Sequence, residues 1–330
     1  MSSRGTVTLA FGKPRYLEMA KSLARSLFLH DPTLMRAIIT DSDDPELGEL
    51  FTYRIALRPE YGPASGQMLH LDRYTPFDQT LFIDCDSLAV RSLDHFFTAF
   101  HPVPFGVCSA LALDSAESAD SHDSLDVPFL LDRFHLASVP RFNGAVFYFN
   151  HTPAATALFT TARDLLANAS DLHLRAATIS STTHTSLFAL AMAIHNLSPT
   201  DMGRAGMWTT MDASIRLALD IPHSICTIVQ RRGVQLPDIL HLSQFTESLF
   251  YLRECSRLEL LAHGESDDLT VAQELQLIST ATILWARRRA ESLLHRLENL
   301  LSTFPTLNPR SASSLNVRPL VVSAERPHHA

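Results

Sequence analysis

Two carboxylates one residue apart, Asp84 and Asp86, follow the apolar run Leu81-Phe82-Ile83 and precede another, Leu88-Ala89-Val90. A short apolar run of this kind is the pattern of a buried strand. The residues leaving its end stand where an open α/β sheet offers its ligand crevice. Side chains at i and i+2 point the same way if the strand continues, so both carboxylates are expected to face one divalent cation. Hard ions such as Mg²⁺ and Mn²⁺ take oxygen ligands and keep positions open for phosphate oxygens. A solvated turn is the competing account, because Asp is common in turns. The apolar stretches on both sides favour the metal.

The elements that must position this pair alternate between strand and helix. Residues 6–11 read as a buried strand ended by Gly12 and Pro14. Tyr16, Ala20, Leu23 and Leu27 recur at helical steps over residues 16–29. A second strand is expected over 34–40, stopped by Asp41-Ser42-Asp43-Asp44-Pro45, and a weak one over 54–57. A helix is expected over 68–74, then strands over 80–83, 105–108 and 145–150. Thr152 caps a helix opening at Pro153. Residues 186–197 are apolar nearly all round and read as a buried helix. The order indicates an α/β fold with a mostly parallel central sheet and helices on both faces. The domain edge is expected near residue 262, giving a domain over 1–262, a helical extension over 263–304 and a loose Pro-, Ser- and His-rich tail over 305–330.

Bulk properties narrow the classes. The chain has 330 residues, 46% of them hydrophobic and 19% charged, which is globular rather than disordered. A net charge of −8 without a basic stripe excludes nucleic acid as the expected partner. Lys13 and Lys21 are the lysines; every other cationic side chain is arginine. The cysteines, Cys85, Cys108, Cys226 and Cys255, lack metal spacing and suggest a reducing compartment. No apolar stretch nears the ~20 residues that span a bilayer, so a soluble cytoplasmic protein is expected. Trp285-Ala286-Arg287-Arg288-Arg289 gives a later helix a basic face. That face suits a peripheral membrane contact at the inner membrane face or a second subunit, although a solvated face is the ordinary account.

The stretch Pro76-Phe77-Asp78-Gln79-Thr80-Leu81-Phe82-Ile83-Asp84-Cys85-Asp86-Ser87-Leu88-Ala89-Val90 resembles the metal-binding segment of GT-A glycosyltransferases, most closely the glycogenin and lipopolysaccharide galactosyltransferase group (family 8) and its bacterial relatives. Three further segments agree in order. Thr8-Leu9-Ala10-Phe11-Gly12, followed by Tyr16, is similar to the first strand and turn that embrace the base and ribose. The run Arg141-Phe142-Asn143-Gly144-Ala145-Val146 is similar to the strand approaching the sugar, and Ile239-Leu240-His241 to the late strand whose histidine completes the metal site.

The resemblance implies a GT-A fold and transfer of a sugar from a nucleotide-diphosphate donor, a UDP-sugar, to a glycan, lipid or protein acceptor. It implies a Mn²⁺ or Mg²⁺ cofactor on Asp84, Asp86 and His241, with Asp84 also reaching the ribose. Ala10, Phe11 and Tyr16 would contact the nucleoside, Tyr16 by stacking unless it is simple core. Asn143 would hydrogen-bond the sugar, with a tight turn as the alternative, and His184 could act as a base. Two features depart from the family pattern. Met68 stands where relatives carry a lysine, with His70 nearby, and Thr183-His184-Thr185-Ser186 lacks their acidic residue. A haloacid-dehalogenase-like phosphatase with Asp84 as nucleophile and Ser266-Asp267-Asp268 as its late acidic motif remains an alternative, although both lysines precede Asp84. So does a non-catalytic nucleotide-sugar-binding protein of the same fold. A pyrophosphorylase is disfavoured because only Gly12 stands in the turn after the first strand, where a Gly-rich loop would be needed.

Overall fold

A computed structural model describes residues 3–108, 111–113, 126–172, 183–200, 202, 206–209, 216–230, 233–243 and 245–303. The chain divides into two compact units, Met1–Ala281 and Thr282–Ala330. In chain order the first half runs β1 (Arg4–Leu9), α1 (Pro14–His30), β2 (Met35–Thr40), α2 (Leu47–Leu50), β3 (Tyr53–Ala56), α3 (Ala64–Met68), β4 (Gln79–Ile83), β5 (Ser87–Ala89), α4 (Asp94–Phe100), β6 (Phe105–Val107), β7 (Leu111–Leu113), α5 (Val127–Phe134), β8 (Val139–Arg141) and β9 (Val146–Asn150). There follow α6 (Pro153–Ala167), α7 (Thr183–Ile194), β10 (Met207–Thr209), β11 (Arg216–Asp220), β12 (Ile225–Gln230), β13 (Gly233–Gln235), β14 (Ile239–His241), α8 (Leu249–Ala262) and α9 (Val271–Thr303).

The central sheet has the order β3-β2-β1-β4-β9-β6. Strands β3, β2, β1 and β4 run parallel to one another, while β9 is antiparallel to both β4 and β6. Period-two alternation sends successive side chains to opposite faces. Phe82, Phe147 and Phe149 enter a core shared with α6 and α7. Leu81, Ile83, Val146 and Tyr148 enter another shared with α1 and α4. Both faces are covered, which is why these strands read as continuous apolar runs.

Sequence expectations and structure differ where local pattern is weak. The helix expected over 68–74 lies earlier, at Ala64–Met68, with a separate 3₁₀ turn at Leu71–Arg73. Gly62-Pro63 starts this helix, and Gln67 pins it by donating to the carbonyls of Arg58 and Gly62. The first strand ends at Leu9 rather than at residue 11. Thr152 does cap α6, its hydroxyl accepting from the amide of Ala155 at 3.3 Å. Lys21 is buried on α1 and held by Glu18, Asp44 and Glu46 at 3.1, 2.8 and 2.9 Å, tying α1 to the approach to α2. In the second half, β10-β14-β5 form one small sheet and β11-β12-β13 an antiparallel meander. No described helix is long and apolar enough to cross a membrane. The tail expected over 305–330 lies outside the described residues.

Candidate metal centre

The first carboxylate sits at the carboxyl end of β4. Beyond Ile83 the chain does not continue as strand but turns, with the Ser87 amide donating to the Asp84 carbonyl at 3.1 Å. The expected strand geometry is corrected, yet the two carboxylates still converge. Cys85, 6% exposed, is buried in the core between them, while its two neighbours are only partly buried. The turn is fixed from two directions. The Asp84 amide donates to the Ala145 carbonyl at 2.8 Å, and the Leu242 amide donates to the Asp86 carbonyl at 3.0 Å. Strand β5 then pairs with β14 in the register Ser87 to His241, which delivers His241 to the same place.

Ligand atoms of Asp84, Asp86 and His241 all lie within 4.8 Å of one another. His241 Nε2 is 3.2 Å from Asp86 Oδ1. The contact lacks hydrogen-bond alignment, and Asp86 Oδ1 is buried with no hydrogen-bond partner. Neighbouring ligands of an octahedral ion with bonds near 2.1 Å stand about 3.0 Å apart. The orphaned oxygen and this spacing fit a shared divalent cation. Two carboxylates and one imidazole suit Mg²⁺ or Mn²⁺ better than a soft thiolate-seeking ion.

Protonation follows from the same crowding. Burial, then the charge of Asp86, pushes the Asp84 carboxyl up to about 7, with His241 acting against the rise. Burial opposes charging His241, but contact with Asp86 and the charges of Asp86 and Asp84 outweigh it and raise its pKa above the ordinary value. A metal needs Asp84 ionised and His241 neutral, so protons compete with it. Mn²⁺ affinity is therefore expected to rise by more than about tenfold between about pH 6 and about pH 8, with proton release on binding measurable by calorimetry in two buffers. A flat profile would contradict this protonation pattern.

Behind His241 stand residues that sequence reasoning missed. Strand β10 pairs with β14 in parallel, and Thr209 Oγ1 lies 3.1 Å from His241 Nδ1. Asp238, 6% exposed, anchors the start of β14. Its carboxylate accepts from the Gly206 amide at 3.0 Å and meets Arg91 and His95, while its carbonyl accepts from Val90. The available signal was Asp238 itself, a carboxylate directly before the apolar pair Ile239-Leu240.

The other expected site residues fall at the same edge of the sheet. Strands β1 and β4 pair with Val7 opposite Phe82, so Ala10 and Phe11 leave β1 beside the level of Asp84. Ala10 is buried, and Gly12 turns with φ of 79° while its amide donates to the Asp41 carboxylate at 3.3 Å. Tyr16 is half-buried against the core, and the Arg15 guanidinium lies over its ring at 5.0 Å. Asn143 closes a tight turn, its Oδ1 accepting from the Ala145 amide at 2.9 Å. This occupies its oxygen and leaves Nδ2 as the group able to donate.

Gly144 is required by close approach: a Cβ there would stand 2.1 Å from Thr185 Oγ1 and 3.1 Å from His184 Nε2. The head of α7, with buried His184, therefore packs directly on the turn that holds Asp84. Met68 is core, 4% exposed, and His70 stacks on Tyr61 at 3.8 Å. Neither is a permanent cation. Asp267 of Ser266-Asp267-Asp268 is paired with Arg257. Among the described residues a second acidic group, Asp220, His223 and Asp267, also clusters, but the Arg257 guanidinium already serves Asp220 and Asp267 as their cation.

No protein-family model matches the chain, and no curated protein does. Among solved structures it is similar to the galactosyltransferase LgtC in complex with donor and acceptor sugar analogues, at 12% identity and a TM-score of 0.48. That alignment covers 81% of this chain and 98% of that one. It is also similar to mouse xyloside xylosyltransferase 1, at 13% identity and a TM-score of 0.41, covering 72% of this chain and 96% of that one. Likeness to the glycosyltransferase GlyE of Streptococcus pneumoniae TIGR4 has a TM-score of 0.39 at 13% identity and covers 61% of this chain. The chain spans less than half, 46%, of the GlyE chain. Likeness at these scores is loose and carries no functional assignment.

Proposed function

We propose that this chain is a metal-dependent glycosyltransferase of the GT-A kind that takes its sugar from a nucleotide-diphosphate donor, with UDP as the nucleotide and Mn²⁺ or Mg²⁺ as the ion. The observation that carries this reading is the convergence of Asp84, Asp86 and His241 at the carboxyl edge of a mostly parallel sheet. A bound divalent ion would neutralise the diphosphate as a Lewis acid and so improve it as a leaving group. Asp86 and His241 would hold that ion, and Asp84 would share it or accept from a ribose hydroxyl. Ala10 and Phe11 would line the nucleoside, with Tyr16 stacking once Arg15 moves off its exposed side. The Asn143 amide would donate to a sugar hydroxyl, and His184 would stand by the reacting centre through its contact with the Gly144 turn. The domain over 1–262 would hold this machinery, and the C-terminal helices would offer a peripheral membrane contact or a contact with a second copy.

Calorimetric titration of UDP and GDP with and without Mn²⁺ tests the reading. UDP binding that requires Mn²⁺ supports it, and equal binding with and without the ion contradicts it. A second reading, a nucleotide-sugar binder without transfer, is favoured by α7, whose first turn has no acidic residue, and by the apolar Met68 in the core. Hydrolysis or transfer of UDP-sugar, followed as UDP release, separates the two.

A further inference from the structure

We propose that Thr209 is the positioning residue that makes Nε2 of His241 the metal-facing nitrogen. The inference rests on the metal-site reading above and adds to it the device that orients the ligand. His241 is 7% exposed, so water does not compete freely for its ring. Its two nitrogens meet different partners on opposite sides. Nδ1 lies 3.1 Å from Thr209 Oγ1, and Nε2 lies 3.2 Å from Asp86 Oδ1. A neutral imidazole carries one N–H, and the nitrogen without it is the one able to bind a metal. The hydroxyl can donate or accept, so when an ion takes the Nε2 lone pair the ring proton stands on Nδ1 and Thr209 Oγ1 accepts from it.

The scaffold holds this arrangement in place. Thr209 and His241 are register partners in the parallel pair of β10 and β14, so backbone hydrogen bonding sets their separation. Thr is β-branched and stiff at χ1, which keeps its hydroxyl aimed. On the opposite flank, β5 offers Ser87 as the register partner of His241, but the buried Ser87 Oγ has no hydrogen-bond partner and does not take the ring nitrogen. Thr209 is thus the hydroxyl placed to accept from Nδ1–H when Nε2 binds the ion. Outer partners of this kind are worth roughly 10–100-fold in metal affinity.

The test pairs Thr209→Val, which keeps the shape and removes the hydroxyl, with Thr209→Ser, which restores it. Imidazole ¹⁵N and Nδ1–H ¹H shifts of the Mg²⁺-loaded protein report the hydrogen bond from Nδ1–H to Oγ1 directly. The wild type should show a hydrogen-bonded Nδ1–H, Thr209→Val should lose that signature, and Thr209→Ser should return it. Mn²⁺ affinity, followed by electron paramagnetic resonance, should fall roughly 10–100-fold in Thr209→Val and recover in Thr209→Ser. An unchanged Nδ1–H signature and affinity in a folded Thr209→Val protein would overturn the role of Thr209 while leaving the metal site standing. A wild type that binds no Mn²⁺ would overturn the metal reading and this inference with it.

Discussion

Replacing Asp86 with alanine is expected to abolish Mn²⁺-supported UDP binding while the chain stays folded. The side chain is 20% exposed, so truncating it opens no large cavity in the core. The backbone carbonyl that receives Leu242 survives the change, and so does the turn that places Asp84 and His241. What is lost is the oxygen nearest His241 Nε2, a direct ligand in this account. The loss should exceed the ~10–100-fold typical of an outer partner. Removing Asp86 also removes the second cause that holds the Asp84 carboxyl near 7, after burial itself. Asp84 should therefore titrate lower in the variant, which carboxyl ¹³C shifts can follow. A variant that binds UDP and Mn²⁺ like the wild type would show that Asp86 is not a ligand.

Phe147→Ala is expected to cost about 3–5 kcal/mol of stability, the range for emptying a large aromatic site in a packed core. The ring is fully buried on β9 and contacts Phe82, Phe105 and Phe188 at centroid distances of 4.8, 5.3 and 5.3 Å. These partners come from β4, β6 and α7, so one side chain joins three elements. Its strand also continues from Ala145, whose carbonyl receives the Asp84 amide. The same substitution should therefore weaken donor binding beyond what Phe147→Leu does. Denaturant midpoints of the two variants give the comparison. A cost below about 1 kcal/mol for Phe147→Ala would mean that this face of the sheet is not the packed core described.

Much of the central sheet was legible because its signals are local. The runs around Val7, Ile38, Phe82 and Phe147 are short, apolar and bounded by Gly, Pro or Asp, and each is a central strand. Thr152-Pro153 announced α6 through cap and first-turn chemistry alone. The three-residue strands β5, β10 and β14 have no room to show alternation, and their pairing joins residues 87–89 to residues 207–241. Nothing in the Met207-Trp208-Thr209 run marks it as strand or places Thr209 behind His241. Asp84 and Asp86 were readable as a pair, but the reason they converge was not the one expected. Burial of Cys85 in a turn does the work that a continuing strand was expected to do. The need for Gly144 was not legible either, because the side chain that approaches it most closely, Thr185, comes from the distant head of α7.

Crystals soaked with Mn²⁺ and UDP, measured at the manganese absorption edge, would locate the ion without any assumption about activity. An anomalous peak bonded to an Asp86 oxygen and to His241 Nε2, with Asp84 turned to the same ion or to the ribose, is the predicted outcome. A peak elsewhere, for instance among Asp220, His223 and Asp267, or UDP bound with Asp86 and His241 still touching only each other, would contradict the account.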